Sequence, residues 1–274
     1  MSSAQQPRIL TIAGSDPSGC AGIQADIKTI SALGGYAMSA VTALTSQNTR
    51  GVNEIIPQAP VFIARQIEDC IHDIGVDAIK IGMIPNEEVI PAITTFLEPG
   101  LPVVYDPVLR ASSGDALGGE GMVDALRENF LPHLECITPN IPEAELLSGE
   151  TIETLDDMKQ VAVTFIENLG VESIVLTGGH LAGDIIHDVA AWYSTHEPHI
   201  RLEVFSHPRV EAKGSRGTGC TFSSALATEM GFGYFFADAV ERAISYVRGA
   251  LETSLDLGEG NGPLNHQYRV KRPE

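Results

Sequence analysis

A glycine-broken turn followed by a cysteine is the stretch of this chain whose residue types are best suited to chemistry. Residues 214–226 read GSRGTGCTFSSAL, and Gly217, Thr218 and Gly219 leave the backbone N–H groups unshielded by large side chains. Apolar residues then recur at helical spacing, so the turn lies at the positive end of a helix dipole, where anions bind. The same dipole favours a thiolate at Cys220. The turn therefore predicts a phosphate site beside a proton acceptor with a lowered pKa, although such a cysteine can also be a small buried hydrophobe.

A second glycine loop lies near the start of the chain. An apolar strand over residues 8–13 runs into GSDPSGCAG, residues 14–22, and helical spacing follows. The first two glycines of the loop have the spacing of a Walker A motif, but Cys20 and Ala21 stand where that motif needs Lys and Ser or Thr. The G-x-G-x-x-G pattern of dinucleotide-binding proteins is also missing, which disfavours an oxidoreductase. We expect this loop to approach a small substrate and any ATP to bind elsewhere.

Polar side chains follow four further predicted strands, and the carboxyl ends of parallel strands are where α/β proteins bind ligands. These side chains are Gln47 after residues 36–44, Asp106 at the end of 102–106, Asn140 and Glu143 after 136–138, and Thr177 to His180 after 173–176. Gln47 has the donor and acceptor that suit a heteroaromatic ring, and the oxygen atoms of the other side chains suit Mg²⁺. These positions also have structural alternatives, namely a solvated loop at Gln47, a turn cap at Asp106 and a capping box at Asn140 and Glu143.

The bulk composition narrows the class of partner and the compartment. The chain has 274 residues, with 36 acidic and 17 basic residues and a net charge of −19, which disfavours nucleic acid and anionic membranes as partners. No apolar run approaches the roughly 18 residues of a membrane span, and MSSAQQPRIL lacks a secretory hydrophobic region. Four cysteines without C-x-x-C spacing indicate neither zinc nor disulfides. A cytoplasmic protein is expected.

The elements that must hold these groups alternate between strand and helix. This alternation predicts an α/β fold, a three-layer α/β/α domain with a mainly parallel central sheet, and a single domain over residues 1–274. Residues 185–193 and 201–205 are predicted to be antiparallel edge strands. Lys80 lies within the apolar strand AIKI, and a lysine in a parallel sheet implies a partner. The tail from Gly258 is expected to contribute little.

Taken together, these motifs resemble the ribokinase-like fold and, within it, the hydroxymethylpyrimidine/phosphomethylpyrimidine kinases of thiamine biosynthesis. The resemblance extends from Arg8 to about Leu264. Its motifs, in chain order, are TIAGSDPSG (11–19), AGIQADIKT (21–29), TSQNTRGV (45–52), KIGM (80–83), DPV (106–108), ITPNIPEAELL (137–147), TGGH (177–180) and GTGCTFSSAL (217–226). Several independent motifs in the right order are specific, whereas each one alone is weak.

The resemblance implies a role for most of the candidate residues. Gln47 would hydrogen-bond an aminopyrimidine, with Gly14, Asp26 and Val41 around it. The remaining roles concern the phosphates: Asn140 and Glu143 would organise Mg²⁺ and the ATP phosphates, Gly217 and Gly219 would form the anion hole, and Thr177 to Gly179 would border the nucleotide. Thr218 is expected to contact the nucleotide too, and Asp106 is a further candidate ligand of Mg²⁺. Cys220 would act as base at the position where most ribokinase-like kinases carry aspartate. A homodimer is expected from the resemblance alone.

The chain departs from the family pattern at four positions, and two of these, Ser112 and Arg216, lose and gain a cation near the expected phosphate path. Cys20 stands in the usual GGAG loop, Leu109 replaces methionine, Ser112 replaces a common lysine, and Arg216 replaces a common histidine. Two alternatives stay open beside the pyrimidine kinase. One is a pyridoxal kinase on the same scaffold, which SQNT at residues 46–49 disfavours, and the other is a catalytically silent ligand-binding sensor, which Asn140, Glu143 and Cys220 disfavour.

Overall fold

The computed structural model describes residues 6–109, 121–194 and 199–270, and Ser112 lies outside them. Its strands are Arg8–Ser15 (β1), Tyr36–Asn48 (β2), Gly51–Pro57 (β3), Ala78–Ile81 (β4), Val103–Tyr105 (β5), Cys136–Ile137 (β6), Ser173–Leu176 (β7), Ile185–Tyr193 (β8) and Ile200–Pro208 (β9). In the described residues they form one sheet in the order β3-β2-β1-β4-β5-β6-β7-β8-β9. Pairing is parallel from β2 through β7 and antiparallel for β3, β8 and β9.

Helices cover both faces of the sheet. They are Gly22–Ala32 (α1), Pro60–Asp69 (α2), Ile90–Thr94 (α3), Met122–Asn129 (α4), Ile141–Ser148 (α5), Leu155–Glu167 (α6), Thr218–Gly231 (α7) and Phe236–Glu252 (α8). Helices α2 to α6 share one apolar core with one face of the sheet, and α1, α7 and α8 share the other. Neighbouring residues of a strand face opposite cores, as Ile9 and Leu10 do, because side chains alternate along a strand. The predicted α/β/α layering with a mainly parallel sheet is confirmed.

Antiparallel strands form both edges of the sheet, and the sequence predicted them at only one edge. The predicted pair of strands after residue 184 is confirmed as β8 and β9. The strand β3 was missed, because its exposed Asn53 and Glu54 have the polarity of a loop. Its partner β2 continues to Asn48, so Gln47 lies in a hairpin, opposite Val52, and not in a loop. Among the described residues no helix is long and apolar enough to cross a membrane.

The tail after Gly258 contributes more than the sequence indicated. Leu264 and His266 are buried, and His266 Nε2 lies 3.1 Å from Thr221 Oγ1 on α7. The carbonyl of Gly262 accepts a hydrogen bond of 3.1 Å from the N–H of Arg216. The expectation that the tail contributes little is therefore wrong, because it braces the first turn of α7.

Candidate active site

Two cavities lie along the carboxyl ends of the parallel strands, and they meet at Arg216. The larger, about 760 Å³, lies beyond β5, β6 and β7, and the turn before α7 forms part of its wall. The smaller, about 100 Å³, lies beyond β1 and β4, and Cys220 forms part of its wall. Arg216 lines both cavities. A molecule in one cavity can therefore come close to a molecule in the other at the start of α7.

The small cavity occupies the point at which the strand order reverses. The strand β1 has β2 on one side and β4 on the other, and such a switch point opens a crevice at the carboxyl ends of the strands. Gly14 and Gln47, which the resemblance assigned to the ring pocket, line the crevice, and so does Gly22. A Cβ on Gly22 would lie 2.3 Å from the carbonyl oxygen of Gly14, so the loop can close only with glycine there.

Asp16 organises the glycine loop that forms one wall of the small cavity. Its carboxylate accepts hydrogen bonds from the N–H groups of Ser18, Cys20 and Ala21 at 2.8 to 3.1 Å, and from the hydroxyl of Ser18 at 2.7 Å. The carboxylate is buried and its oxygens are occupied by these donors. Asp16 therefore holds the shape of the loop.

Asp26 and Val41, which the resemblance placed around the ring, are not among the residues that line the small cavity. Asp26 is fully buried behind it, where its carboxylate accepts 3.0 Å hydrogen bonds from Lys80 Nζ and shorter ones from the hydroxyls of Thr11 and Ser224. Lys80 does line the cavity, so the partner predicted for it is Asp26.

The backbone of Val41 is held by β1 and by α2. Val41 pairs with Ala13 of β1, and its backbone N–H and carbonyl both bind the side chain of Gln66 on α2. The strand thus supports the cavity, but the contact expected at residue 41 is absent from the residues that line it.

The large cavity is lined by the residues that the sequence linked to phosphates and metal. They are Asp106, Asn140, Glu143, Thr177, Gly179, Gly217, Thr218 and Gly219. Asn140 and Glu143 also form the capping box of α5: Asn140 Oδ1 accepts the N–H of Glu143 at 3.0 Å, and Glu143 Oε2 accepts the N–H of Asn140 at 2.9 Å. Asn140 and Glu143 therefore cap α5 and line the cavity at the same time, so the structural alternative does not exclude the functional one.

Two carboxyl groups face this cavity in an environment that disfavours their charge. Burial raises the pKa of Glu143 to about 8, and the negative charge of Asp106 adds to the effect. Burial also raises the pKa of Asp106 to about 6, although the positive charge of Lys80 opposes the rise. In the described residues no group of three or more His, Cys, Asp or Glu side chains could hold a metal ion. A cation between Asp106 and Glu143 would need further oxygen ligands from elsewhere.

The turn before α7 is fixed against the first glycine loop. Gly217 has a φ of +88°, and a Cβ there would lie 1.9 Å from the carbonyl oxygen of Cys20. The N–H of Thr218 donates to the carbonyl of Ser215, whereas the N–H groups of Gly219 and Cys220 have no acceptor among the described residues. Two backbone donors at the start of α7 therefore remain available to an anion.

The prediction that the pKa of Cys220 is lowered is wrong. Burial raises the pKa to about 12; the positive charge of Lys80 opposes the rise, and the negative charges of Asp106 and Asp26 add to it. The N–H of Gly22 also interacts with the sulfur, yet this donor and the start of the helix do not outweigh burial and the nearby carboxylates. Cys220 is partly exposed to the small cavity, so it meets a ligand as a thiol.

Sequence reasoning missed several residues of the large cavity. Asp188 on β8 accepts the N–H of Gly178 at 2.9 Å and lies 3.0 Å from Nε2 of His207 on β9. Asn261, from the tail, also lines the cavity. Their signal in the sequence is weak, because each reaches the cavity only through long-range pairing. His180 lines the cavity too, and burial lowers its pKa.

The family model and the sequence relatives agree on one family. Residues 16–265 match the family described as phosphomethylpyrimidine kinase. A thiamine biosynthesis bifunctional protein of Geobacter sulfurreducens is 43% identical over 94% of this chain, and the chain spans 52% of that protein's length. The hydroxymethylpyrimidine/phosphomethylpyrimidine kinase of Bacillus subtilis is 38% identical over 97% of this chain and 96% of its own length. An ADP complex of Bacillus subtilis pyridoxal kinase superposes with a TM-score of 0.85 at 34% identity, over 97% of this chain and all of that one.

Proposed function

Because this chain belongs to the phosphomethylpyrimidine kinase family, we propose that it is a phosphotransferase acting on hydroxymethylpyrimidine. It uses ATP to phosphorylate 4-amino-5-hydroxymethyl-2-methylpyrimidine, and then phosphorylates the monophosphate to the diphosphate, as a step of thiamine diphosphate biosynthesis. The observation that carries this proposal is the meeting of the two cavities at Arg216 and the turn before α7. One cavity suits a flat ring beside Gln47, and the other suits a nucleotide whose phosphates reach Gly219.

The residues of the large cavity fit ATP together with Mg²⁺. Mg²⁺ is usually held by one or two protein carboxylates, with phosphate oxygens and waters completing the octahedron. Asp106 and Glu143 supply two carboxylates whose pKa values are raised by burial, and a cation beside them would relieve that cost. Asn140 adds a side-chain amide at the same edge. The metal would neutralise phosphate charge during transfer, while Thr177, Gly179 and Thr218 border the nucleotide.

The backbone turn and Cys220 divide the work of the transfer. The free N–H groups of Gly219 and Cys220 point to an anion hole for the transferred phosphoryl group, and Gly217 sets the direction of these N–H groups. The Cys220 thiol interacts with the carboxylate of Asp106 and helps to keep it ionised. In the first transfer, the substrate hydroxyl gives its proton to the sulfur as the thiol gives its own to Asp106. The substrate oxygen bonds to the γ-phosphorus of ATP while the bond from that phosphorus to the bridging oxygen breaks, and ADP leaves with that oxygen. In the second transfer the nucleophile is a phosphate oxygen, which is already anionic.

The change Cys220→Ala tests this division. We expect the first transfer to slow by about 100-fold or more and the second transfer much less, because only the first removes a proton from an alcohol. Separate single-turnover assays with the two substrates measure this, with Cys70→Ala as control, because Cys70 lies outside both cavities. Equal losses in both transfers would assign Cys220 a positioning role.

The activity itself is tested by mass spectrometry of the products. The protein with ATP, Mg²⁺ and hydroxymethylpyrimidine should yield species with one and then two added phosphates. No added phosphate, and no Mg²⁺-dependent release of ADP, would favour the silent sensor.

Pyridoxal is the second candidate substrate, favoured by the similarity to the pyridoxal kinase structure. A comparison of kcat/KM for pyridoxal and for hydroxymethylpyrimidine decides between them. We expect the pyrimidine to be preferred, because Gln47 lines the small cavity with a donor and an acceptor.

The assembly and compartment are further parts of the proposal. A cytoplasmic location is supported by four free cysteines, which suit a reducing compartment. A homodimer is supported by exposed apolar side chains at the β3 edge, among them Leu44 and Ile56, which pair across the hairpin. One domain over residues 1–274 is supported by the single sheet that runs through the described residues.

A further inference from the structure

Arg216 is a buried cation whose side chain has no partner within the described residues. It is 4% exposed, and its Nε has no hydrogen-bond acceptor. Its backbone is held in place, because its N–H donates to Gly262 and residue 216 forms a bridge with Pro263. A buried guanidinium without a counter-charge is unfavourable, so an anion that reaches it gains a strong contact.

The other lysine and arginine side chains that line the described cavities are already engaged. Lys80 is paired with Asp26 at 3.0 Å. Arg209 donates to three backbone carbonyls at 2.6 to 2.9 Å. Arg248 lies 3.6 Å from a glutamate of its own helix; its Nε also lacks an acceptor among the described residues, but Arg248 lines only the large cavity and not the junction. Arg216 therefore supplies the available positive charge at the junction of the cavities.

The small cavity lacks a compensating acid for this guanidinium. Asp16, which also lines it, has its oxygens occupied by the donors of its own loop. Asp106 lies beyond Cys220 and lines the large cavity. An anionic group on the ring substrate would meet Arg216 without displacing an existing ion pair.

We propose that Arg216 binds the phosphate monoester of the singly phosphorylated pyrimidine and so selects the substrate of the second transfer. This inference rests on the proposed function. The planar guanidinium presents paired donors that match two phosphate oxygens. The neutral hydroxymethyl substrate offers no such charge, so the contact distinguishes the two substrates of the sequence.

Calorimetry without nucleotide tests the proposal. The wild-type protein should bind the monophosphate about 10- to 100-fold more tightly than hydroxymethylpyrimidine, as expected for charge-assisted hydrogen bonds. In Arg216→Gln the ratio of the two dissociation constants should fall by about tenfold or more, and Arg216→Lys should keep part of it. Lys213→Gln is the matched control: Lys213 lies three positions away, is exposed and lines neither cavity, so the ratio should not change.

The outcomes separate this proposal from its alternatives. A wild-type protein that binds both compounds equally overturns it without any variant, which covers the case in which Arg216→Gln fails to fold. If Arg216→Gln weakens the binding of a non-hydrolysable ATP analogue but not that of the monophosphate, Arg216 contacts the γ-phosphate and the proposal is overturned. Failure of the proposed function gives a different result, namely no phosphoryl transfer to either pyrimidine by the wild-type protein.

Discussion

The two cavities differ in how their charges are balanced. Around the small cavity the charged groups other than Arg216 are paired before a ligand arrives: Lys80 with Asp26, and Asp16 with the N–H groups of its own loop. Around the large cavity Asp106 and Glu143 repel each other, and Arg216, at the junction, has no partner. A site with balanced charges suits a neutral ring, whereas a site with unbalanced charges suits phosphate and metal. This difference supports the proposed division, in which the small cavity binds the ring and the large cavity binds the nucleotide phosphates.

The largest expected effect comes from breaking the balance behind the small cavity. Lys80→Met would leave the Asp26 carboxylate buried with only hydroxyl partners, and should lower the free energy of unfolding by about 3–5 kcal/mol. Urea denaturation measures it. Lys159→Met is the control, because Lys159 and its partner Asp156 are more exposed, and it should cost less than about 1 kcal/mol. Similar small losses in both variants would mean that the buried pair is not needed.

Separating the turn before α7 from the first glycine loop should have the next largest effect. Gly217→Ala combines a φ of +88° with a Cβ 1.9 Å from the carbonyl of Cys20. Gly233→Ala has a similar φ of +83° but no atom within 4 Å of the added carbon, so it measures the backbone strain alone, about 1–2 kcal/mol.

For Gly217→Ala we expect a further loss of stability and a fall of about 100-fold in kcat/KM, because the turn and the glycine loop can no longer keep their contact. Thermal unfolding and steady-state kinetics measure the two quantities. If both variants behave alike, the contact between residues 217 and 20 does not matter.

The imbalance of the large cavity predicts a pH dependence of stability in the ligand-free protein. The pKa of Glu143 is about 8 in the folded state against about 4.3 when unfolded. The folded state therefore holds a proton on Glu143 that the unfolded state releases. The contribution of this proton to the free energy of unfolding is present below about pH 4 and is lost as the pH rises through 8. Glu143→Gln keeps the capping geometry and should flatten the fall of stability between about pH 5 and 8. An unchanged slope in urea titrations would contradict this.

The smallest effect concerns the thiol at the boundary of the two cavities. Because the pKa of Cys220 is raised to about 12, its alkylation by iodoacetamide should be slow at pH 8 and rise about tenfold per pH unit. Peptide mass spectrometry measures the rate at this residue, and Cys220→Ser removes the signal. A plateau of the rate near pH 7 would restore the lowered pKa that the helix start alone indicates.

The sequence was sufficient for the fold and for the positions of most polar groups. Strand and helix alternation predicted the layers, and Asn140 follows β6 as expected, with Glu143 in the first turn of α5. Gln47 lines the expected cavity, but from within β2 rather than from a loop after it. Properties set by distant neighbours could not be predicted. The pKa of Cys220 depends on Lys80 and on carboxylates more than a hundred residues away in the chain.

The roles of Asp26 and of the tail show the same limit. Asp26 belongs to a substrate-binding motif by resemblance, yet its contacts with Lys80 and Ser224 place it behind the cavity. Residues 261–266 look like a polar tail, and only their contacts with residues 215–221 connect them to the turn. Such contacts carry no local periodicity that a sequence pattern could display.

The hairpin of β2 and β3 has a consequence for how substrate range can diverge. Val52 and Ile55 line the small cavity from β3, which is the outermost strand and pairs only with β2 in the described sheet. Substitutions there can reshape the pocket while the central strands and both helical layers keep their packing. Divergence toward another vitamin precursor would thus require few changes, confined to the periphery of the scaffold.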